Sequence, residues 1–190
     1  MKKQFKTMTI LCLLLLAACS ETPSESAHPP ESQETGGSRN PDVEVLADRL
    51  DVPWSINKKG NAFYINERTG GIVKVSDGEV TRMKVNLEEP LAQVPEAGFL
   101  GFVLHPDFPE TPSAYAYYTY QNSSSPHNRV VVLNLDGDVW EEGNVLLDDI
   151  PSGQYHHGGR LEIGPDNKLY ITTGDATERS EERRVGKECP

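Results

Sequence analysis

The amino-acid sequence predicts an all-β fold assembled from repeated units of short strands. Three observations carry this. From Val43 onward, runs rich in Val, Ile, Tyr and Phe alternate with clusters of Gly, Pro, Asp and Asn. No stretch keeps a helical hydrophobic period over ten residues. Aromatic strands centred on Tyr64, Tyr117 and Tyr170 recur 53 residues apart. Four short strands per roughly 50 residues is the cadence of a β-propeller blade. A β-sandwich also has short strands and frequent turns, and periodicity alone leaves it open.

Each element has a local reason. The first unit opens at Trp54-Ser55-Ile56, with a turn expected over 57–61, a strand over 63–65, and Thr69-Gly70-Gly71 leading into 72–75. Ser76-Asp77-Gly78 then turns the chain into 79–85. Asp-Gly between apolar runs is a strong hairpin signal, so the unit reads as an antiparallel meander. The second unit runs through 98–104, a turn at His105-Pro106-Asp107-Phe108, and 114–120. It continues through 129–135, turns at Asp136-Gly137, and closes over 144–147. A third begins at 159–163, turns at Gly164-Pro165-Asp166-Asn167, and rises through 169–172. Residues 43–177 number 135, fewer than three blades at roughly 45–50 residues each. Such a partial propeller would have open edges and a half-exposed core, so aggregation or partial unfolding is expected.

The two ends differ from this middle. Met-Lys-Lys-Gln-Phe-Lys followed by an apolar run to Ala18 has the form of a secretory signal peptide. The run is shorter than the roughly 20 apolar residues a spanning helix needs. It ends in Leu16-Ala17-Ala18-Cys19, which resembles a bacterial lipobox. That resemblance implies cleavage before Cys19 and a diacylglycerol thioether on it, with multiple acyl chains giving stable anchoring. The expected location is a membrane surface outside the cytoplasm. Residues 19–42 are Ser, Glu, Pro, Thr and Gly with almost no large apolar side chains, and read as a flexible tether. From Arg179 to Cys189 the chain reads R-S-E-E-R-R-V-G-K-E-C. All eleven residues coincide with the in-frame translation of a common sequencing adapter, so 178–190 is expected to be foreign to the fold.

This partition sharpens the composition. The whole chain has 18 Lys+Arg, 29 Asp+Glu and a formal net charge of −11. Setting aside three cations before Cys19, and four cations and three anions after Glu178, leaves 11 Lys+Arg against 26 Asp+Glu, a net of −15. Nucleic acid is excluded as a partner, because phosphate binding needs clustered Lys and Arg. The three cysteines are Cys12, Cys19 and Cys189, so residues 43–177 contain none. Disulfides, cysteine nucleophiles, Cys-zinc sites and iron–sulfur clusters are thereby excluded from the fold.

The stretch richest in chemistry is Tyr155-His156-His157-Gly158-Gly159-Arg160-Leu161, followed by Gly164-Pro165-Asp166 and Thr173-Gly174-Asp175-Ala176. Histidine is the natural general base near neutral pH. Asp175, at the far end of the next two strands, could return beside the loop and orient a histidine. By chemistry alone the signal is weak: adjacent histidines in a loop are more often solvated or structural than catalytic. Extended, His156 and His157 diverge, which disfavours a two-histidine metal chelate. Trp54 and His105 read as structural, and Tyr115, Tyr117, Tyr118 and Tyr120 as blade packing.

Three segments together resemble the glucose/sorbosone dehydrogenase family, the soluble pyrroloquinoline quinone (PQQ) sugar dehydrogenases. They are Val52-Pro53-Trp54-Ser55-Ile56, Glu96-Ala97-Gly98-Phe99-Leu100-Gly101 running into His105-Pro106-Asp107-Phe108, and the His156–Asp175 block. The resemblance covers essentially all of residues 46–176 and implies part of a six-bladed propeller. It implies His156 as the base that takes the proton from an aldose's anomeric hydroxyl while hydride passes to PQQ. Asp175 matches the acid that hydrogen-bonds this histidine. Glu96 falls where the family carries a residue lining the cofactor cleft, and Arg160 follows the motif as a residue holding the loop beside the cofactor. Calcium is implied as the Lewis acid on the quinone, with its ligands, like the remaining cofactor contacts, outside these residues. The fragment alone is expected to be inactive. Two other readings stand beside this one: a non-catalytic, glycan- or protein-binding propeller lipoprotein, and a propeller lactonase.

Overall fold

The computed structural model describes residues 43–122 and 125–177. The leader, Cys19, the tether and the 178–190 tail lie outside the described residues. Among the described residues there are ten strands and no helix. The first four are β1 (Pro53–Lys59), β2 (Ala62–Glu67), β3 (Gly71–Ser76) and β4 (Glu79–Asn86). They pair successively and antiparallel. The β3–β4 hairpin closes on Asp77 and Gly78 at φ 53° and 79°, the left-handed pair that a two-residue type I′ turn requires. The first expected turn is tighter than the sequence suggested. Asn57, Lys58 and Lys59 all pair with β2, leaving Gly60 and Asn61 to reverse the chain.

The second meander is β5 (Phe99–Leu104), β6 (Ser113–Gln121), β7 (Pro126–Asp136) and β8 (Val139–Pro151). β8 is 13 residues long, far beyond the expected 144–147, because irregular register with β7 lets pairing continue to the His127–Pro151 end. β9 (Gly158–Ile163) and β10 (Leu169–Thr173) form a separate hairpin. The order β1-β2-β3-β4-β8-β7-β6-β5 arises because the outermost strands of the two meanders meet in parallel over Lys84–Asn86 and Val139–Glu141. The fold is thus an all-β partial propeller: two four-stranded blades and the first two strands of a third. Tyr64, Tyr117 and Tyr170, predicted as equivalents, fall on β2, β6 and β10, the second strand of each unit.

Alternation along β6 explains how the middle blade is held. Ala114, Ala116, Tyr118 and Tyr120 face a core shared with Tyr64, Ile72 and Met83 of the first blade. Tyr115 and Tyr117 face the opposite side, where Leu161, Ile163, Leu169 and Ile171 of the third unit pack. One strand therefore supplies both inter-blade cores through its two-residue period. Polar staples join the inner strands. Asn57 donates to the Phe102 carbonyl at 2.9 Å, and fully buried Asn66 donates to the Phe99 carbonyl at 2.7 Å. These bonds and the packed middle blade set the position of the segment that begins β5.

Candidate functional site

Three loops converge at one end of the strands. Glu96 lies in the turn before β5, at φ 62°. That turn is strapped to the first blade: Arg68 donates from its guanidinium to the Ala97 carbonyl at 2.8 Å. The Phe99 N–H donates to the Arg68 carbonyl, also at 2.8 Å. His156 lies in the β8–β9 connection, also left-handed at φ 62°. Asp175 follows β10. The β9–β10 hairpin therefore returns Asp175 to the start of β9, beside His156, although 19 residues separate them.

Glu96, His156 and Asp175 are brought together. The His156 Nδ1 lies 3.0 Å from Asp175 Oδ1, and the His156 main-chain N–H donates to Glu96 Oε2 at 3.0 Å. Asp175 Oδ1 also accepts from the Thr177 N–H at 3.1 Å. A carboxylate only accepts, so the proton of a neutral His156 sits on Nδ1 and the lone pair on Nε2. The His156 side chain is 60% exposed. This is the geometry of a proton acceptor: an oriented imidazole with its basic nitrogen open to an incoming hydroxyl.

Gly174 is required by the close approach of the strands. A Cβ there would collide with the His156 carbonyl oxygen. Arg160 sits on β9, where its carbonyl accepts from the Thr172 hydroxyl at 3.3 Å. Its exposed guanidinium makes no ion pair among the described residues. The motif residue that grips neighbouring loops through its side chain is instead His157, buried at 2% exposure. It contacts Ser152 and Pro95, and its carbonyl accepts from Tyr117. Sequence reasoning passed over Pro95 and Ser152 and read Tyr117 as blade packing, and nothing local to them marks this role. Trp54 stacks its ring against the Arg68 guanidinium at 6.0 Å, and His105 Nδ1 accepts from the Asp107 N–H at 3.2 Å within its turn. Among the described residues no group of three or more His, Cys, Asp or Glu side chains converges as a metal cage.

Fold and site together define a class: a β-propeller part bearing an exposed imidazole oriented by a carboxylate. A family model for Glucose / Sorbosone dehydrogenase matches residues 50–189, and the chain belongs to that family. It is similar to quinoprotein glucose dehydrogenase B of Acinetobacter calcoaceticus, 32% identical over 183 residues, covering 86% of this chain and 36% of that protein. It is 26% identical over 150 residues to an aldose sugar dehydrogenase of Escherichia coli K12, covering 72% of this chain and 39% of that one. The structure of the PQQ-bound aldose sugar dehydrogenase of Streptomyces coelicolor superposes with a TM-score of 0.62 at 27% identity, covering 72% of this chain and 42% of that chain. The chain thus spans well under half the length of these relatives.

Proposed function

We propose that this chain supplies the proton-transfer part of a PQQ-dependent dehydrogenase that oxidises the anomeric hydroxyl of an aldose. The observation that carries the reading is the 3.0 Å pair between His156 Nδ1 and Asp175 Oδ1, which leaves Nε2 as an exposed base. His156 Nε2 takes the hydroxyl proton. Asp175 holds the Nδ1–H tautomer and stabilises the imidazolium that forms, the part a carboxylate plays behind a catalytic histidine. Glu96 holds the His156 main chain, and so the direction of the ring.

Among the residues present, Arg160 is exposed on β9, two positions after the start of the strand that follows the His156 loop, and a guanidinium suits the carboxylates of a polycarboxylate quinone. PQQ, when bound, supplies the two-electron acceptor for the sugar's hydride. Calcium fits less well here: the described residues form no cage for it, and oxygen ligands from elsewhere would be needed. No step is assigned to it. The 190 residues alone are proposed to be inactive, and Cys19 to carry a lipid anchor holding the protein outside the cytoplasm.

The test uses a version extended to the length of the relatives, assayed with PQQ, calcium, an aldose and a dye acceptor. His156→Ala is expected to lower dye reduction by about 10²–10⁴-fold. Undiminished turnover would remove the base assignment. The 190-residue chain under the same conditions is expected to show none, and robust turnover refutes its inactivity. Radiolabelled fatty acid should enter the chain and be lost in Cys19→Ser; label that persists in that variant rules out the anchor.

A further inference from the structure

The buried histidine next to the base makes more connections than packing needs. His157 Nε2 lies 2.9 Å from the Pro95 carbonyl oxygen. A carbonyl only accepts, so Nε2 carries the hydrogen. Nδ1 lies 2.6 Å from the Ser152 hydroxyl. In the neutral ring that nitrogen is the acceptor, and Ser152 donates. Both ring nitrogens are therefore satisfied in a single tautomer, the condition for burying an imidazole without an orphaned polar atom. The main chain adds two bonds. The His157 carbonyl accepts from the Tyr117 hydroxyl at 2.8 Å and from the Gly174 N–H at 3.2 Å.

These partners come from four separate segments, and their positions coincide with the site. Pro95 precedes Glu96. Gly174 precedes Asp175. His157 itself follows His156. Ser152 opens the same connection, and Tyr117 is a fully buried side chain of β6. Glu96 and Asp175 each follow a residue that His157 holds, and His156 is its chain neighbour.

We propose that His157 is a positioning residue: its Nε2–H, in a fixed tautomer, ties the Glu96 turn to the His156 loop, and its main-chain carbonyl, held in place by the anchored ring, ties the end of β10 there, so that His156, Asp175 and Glu96 are held in one geometry. The inference deepens the dehydrogenase reading and takes its base from it. A merely space-filling imidazole would tolerate an aromatic hydrocarbon. A positioning one would not, whereas Gln offers an amide N–H near the place of Nε2–H and keeps the bond to Pro95.

The experiment uses the same extended version, labelled with ¹⁵N-histidine, at mildly alkaline pH, with ring signals assigned by substitution. The His157 ring is expected in the Nε2–H tautomer with a slowly exchanging proton, and the His156 ring in the Nδ1–H tautomer. In His157→Phe the His156 main-chain amide should exchange about tenfold faster, and its ring should average between tautomers. In His157→Gln both should stay as in the unaltered protein. In turnover, His157→Phe should lower kcat about tenfold with KM within about twofold, the signature of an effect on the reacting geometry. A His157 ring in the Nδ1–H form overturns the proposal. So does a His157→Phe variant whose His156 amide and ring are unchanged. If His157→Phe loses its β-sheet circular dichroism, Ser152→Ala decides: faster exchange of the His157 ring proton and the His156 amide supports the proposal, and no change overturns it. The nuclear signals do not depend on turnover. A protein with both tautomers as expected but no sugar oxidation would count against the dehydrogenase reading alone.

Discussion

Asp175 touches the His156 ring through one bond, so under the proposed function its removal should read as a change in chemistry rather than in folding. Asp175→Asn keeps the shape but presents an amide that can donate as well as accept, freeing the ring to adopt the wrong tautomer. Its kcat is expected to fall by about 10²–10⁴-fold with KM little changed. Steady-state dye reduction checks this, and a KM effect with intact kcat would mean that Asp175 serves sugar binding instead. Tyr117 acts one step further away. Burial pushes its phenol well above the usual tyrosine range, and its hydroxyl donates to the His157 carbonyl. Tyr117→Phe removes that donor while the Gly174 N–H stays. The expected loss is about 1 kcal/mol in urea unfolding, with His156 less well ordered.

At the scale of the element, β6 concentrates buried phenols. Tyr118 is raised above its ordinary range by burial, then by the Glu142 carboxylate that its hydroxyl contacts. Tyr120 is pushed up to about 12 by burial and by the carboxylates of Asp148 and Asp149. An unfolded tyrosine ionises near pH 10. Between that pH and the folded values the unfolded chain binds fewer protons, so stability must fall as pH rises. Ultraviolet titration should show these phenolates appearing together with unfolding; reversible ionisation in a folded protein below pH 11 would contradict the burial.

Arg129 serves the same element from β7. It pairs with Asp148 at 2.7 Å and lies 3.5 Å from the nearly inaccessible Glu142. Burial alone would raise Asp148, but the Arg129 and Tyr120 hydrogen bonds hold it below its ordinary value. Its contribution to stability is therefore present above the unfolded carboxylate pKa and is lost as pH falls through the lower folded value. Arg129→Met leaves the Glu142 charge buried without its cation and should cost about 3–5 kcal/mol in denaturant unfolding. Glu142 also accepts from the Tyr118 hydroxyl at 2.9 Å and from the Glu88 N–H at 2.8 Å, and a cost under about 1 kcal/mol would mean that these two bonds hold it adequately.

For the whole molecule, the middle blade is covered on both faces and the third unit on one. Among the described residues β10 pairs only with β9, and Tyr155 and Tyr170 are exposed at 46% and 54%. An open strand edge beside exposed aromatics is a template for association. The 190-residue chain is expected to self-associate at micromolar concentration, with β9–β10 exchanging fastest. Sedimentation velocity checks the first and hydrogen exchange the second; a cooperative monomer with protected β10 amides would defeat both.

The sequence by itself determined where the chain runs straight and where it turns. Alternation in 114–120 and the Asp-Gly pairs are local signals, and the strands appear where those signals lie. It also marked His156, Asp175 and Glu96 through the motifs that resemble the family. What it could not determine was set by which strands lie side by side. The parallel β4–β8 contact and the anchoring of His157 by Pro95 join residues about 55 to 62 positions apart, and the far end of β8 is held by the His127–Pro151 pair at its junction with β7. No local propensity encodes such a pairing. It follows from burying both faces of the middle blade, which carries the Glu96 turn, the His156 loop and the end of β10 to one place. The two adjacent histidines show the difference most plainly. Their residue types are identical, and only packing left one imidazole exposed beside Asp175 and buried the other against Pro95 and Ser152.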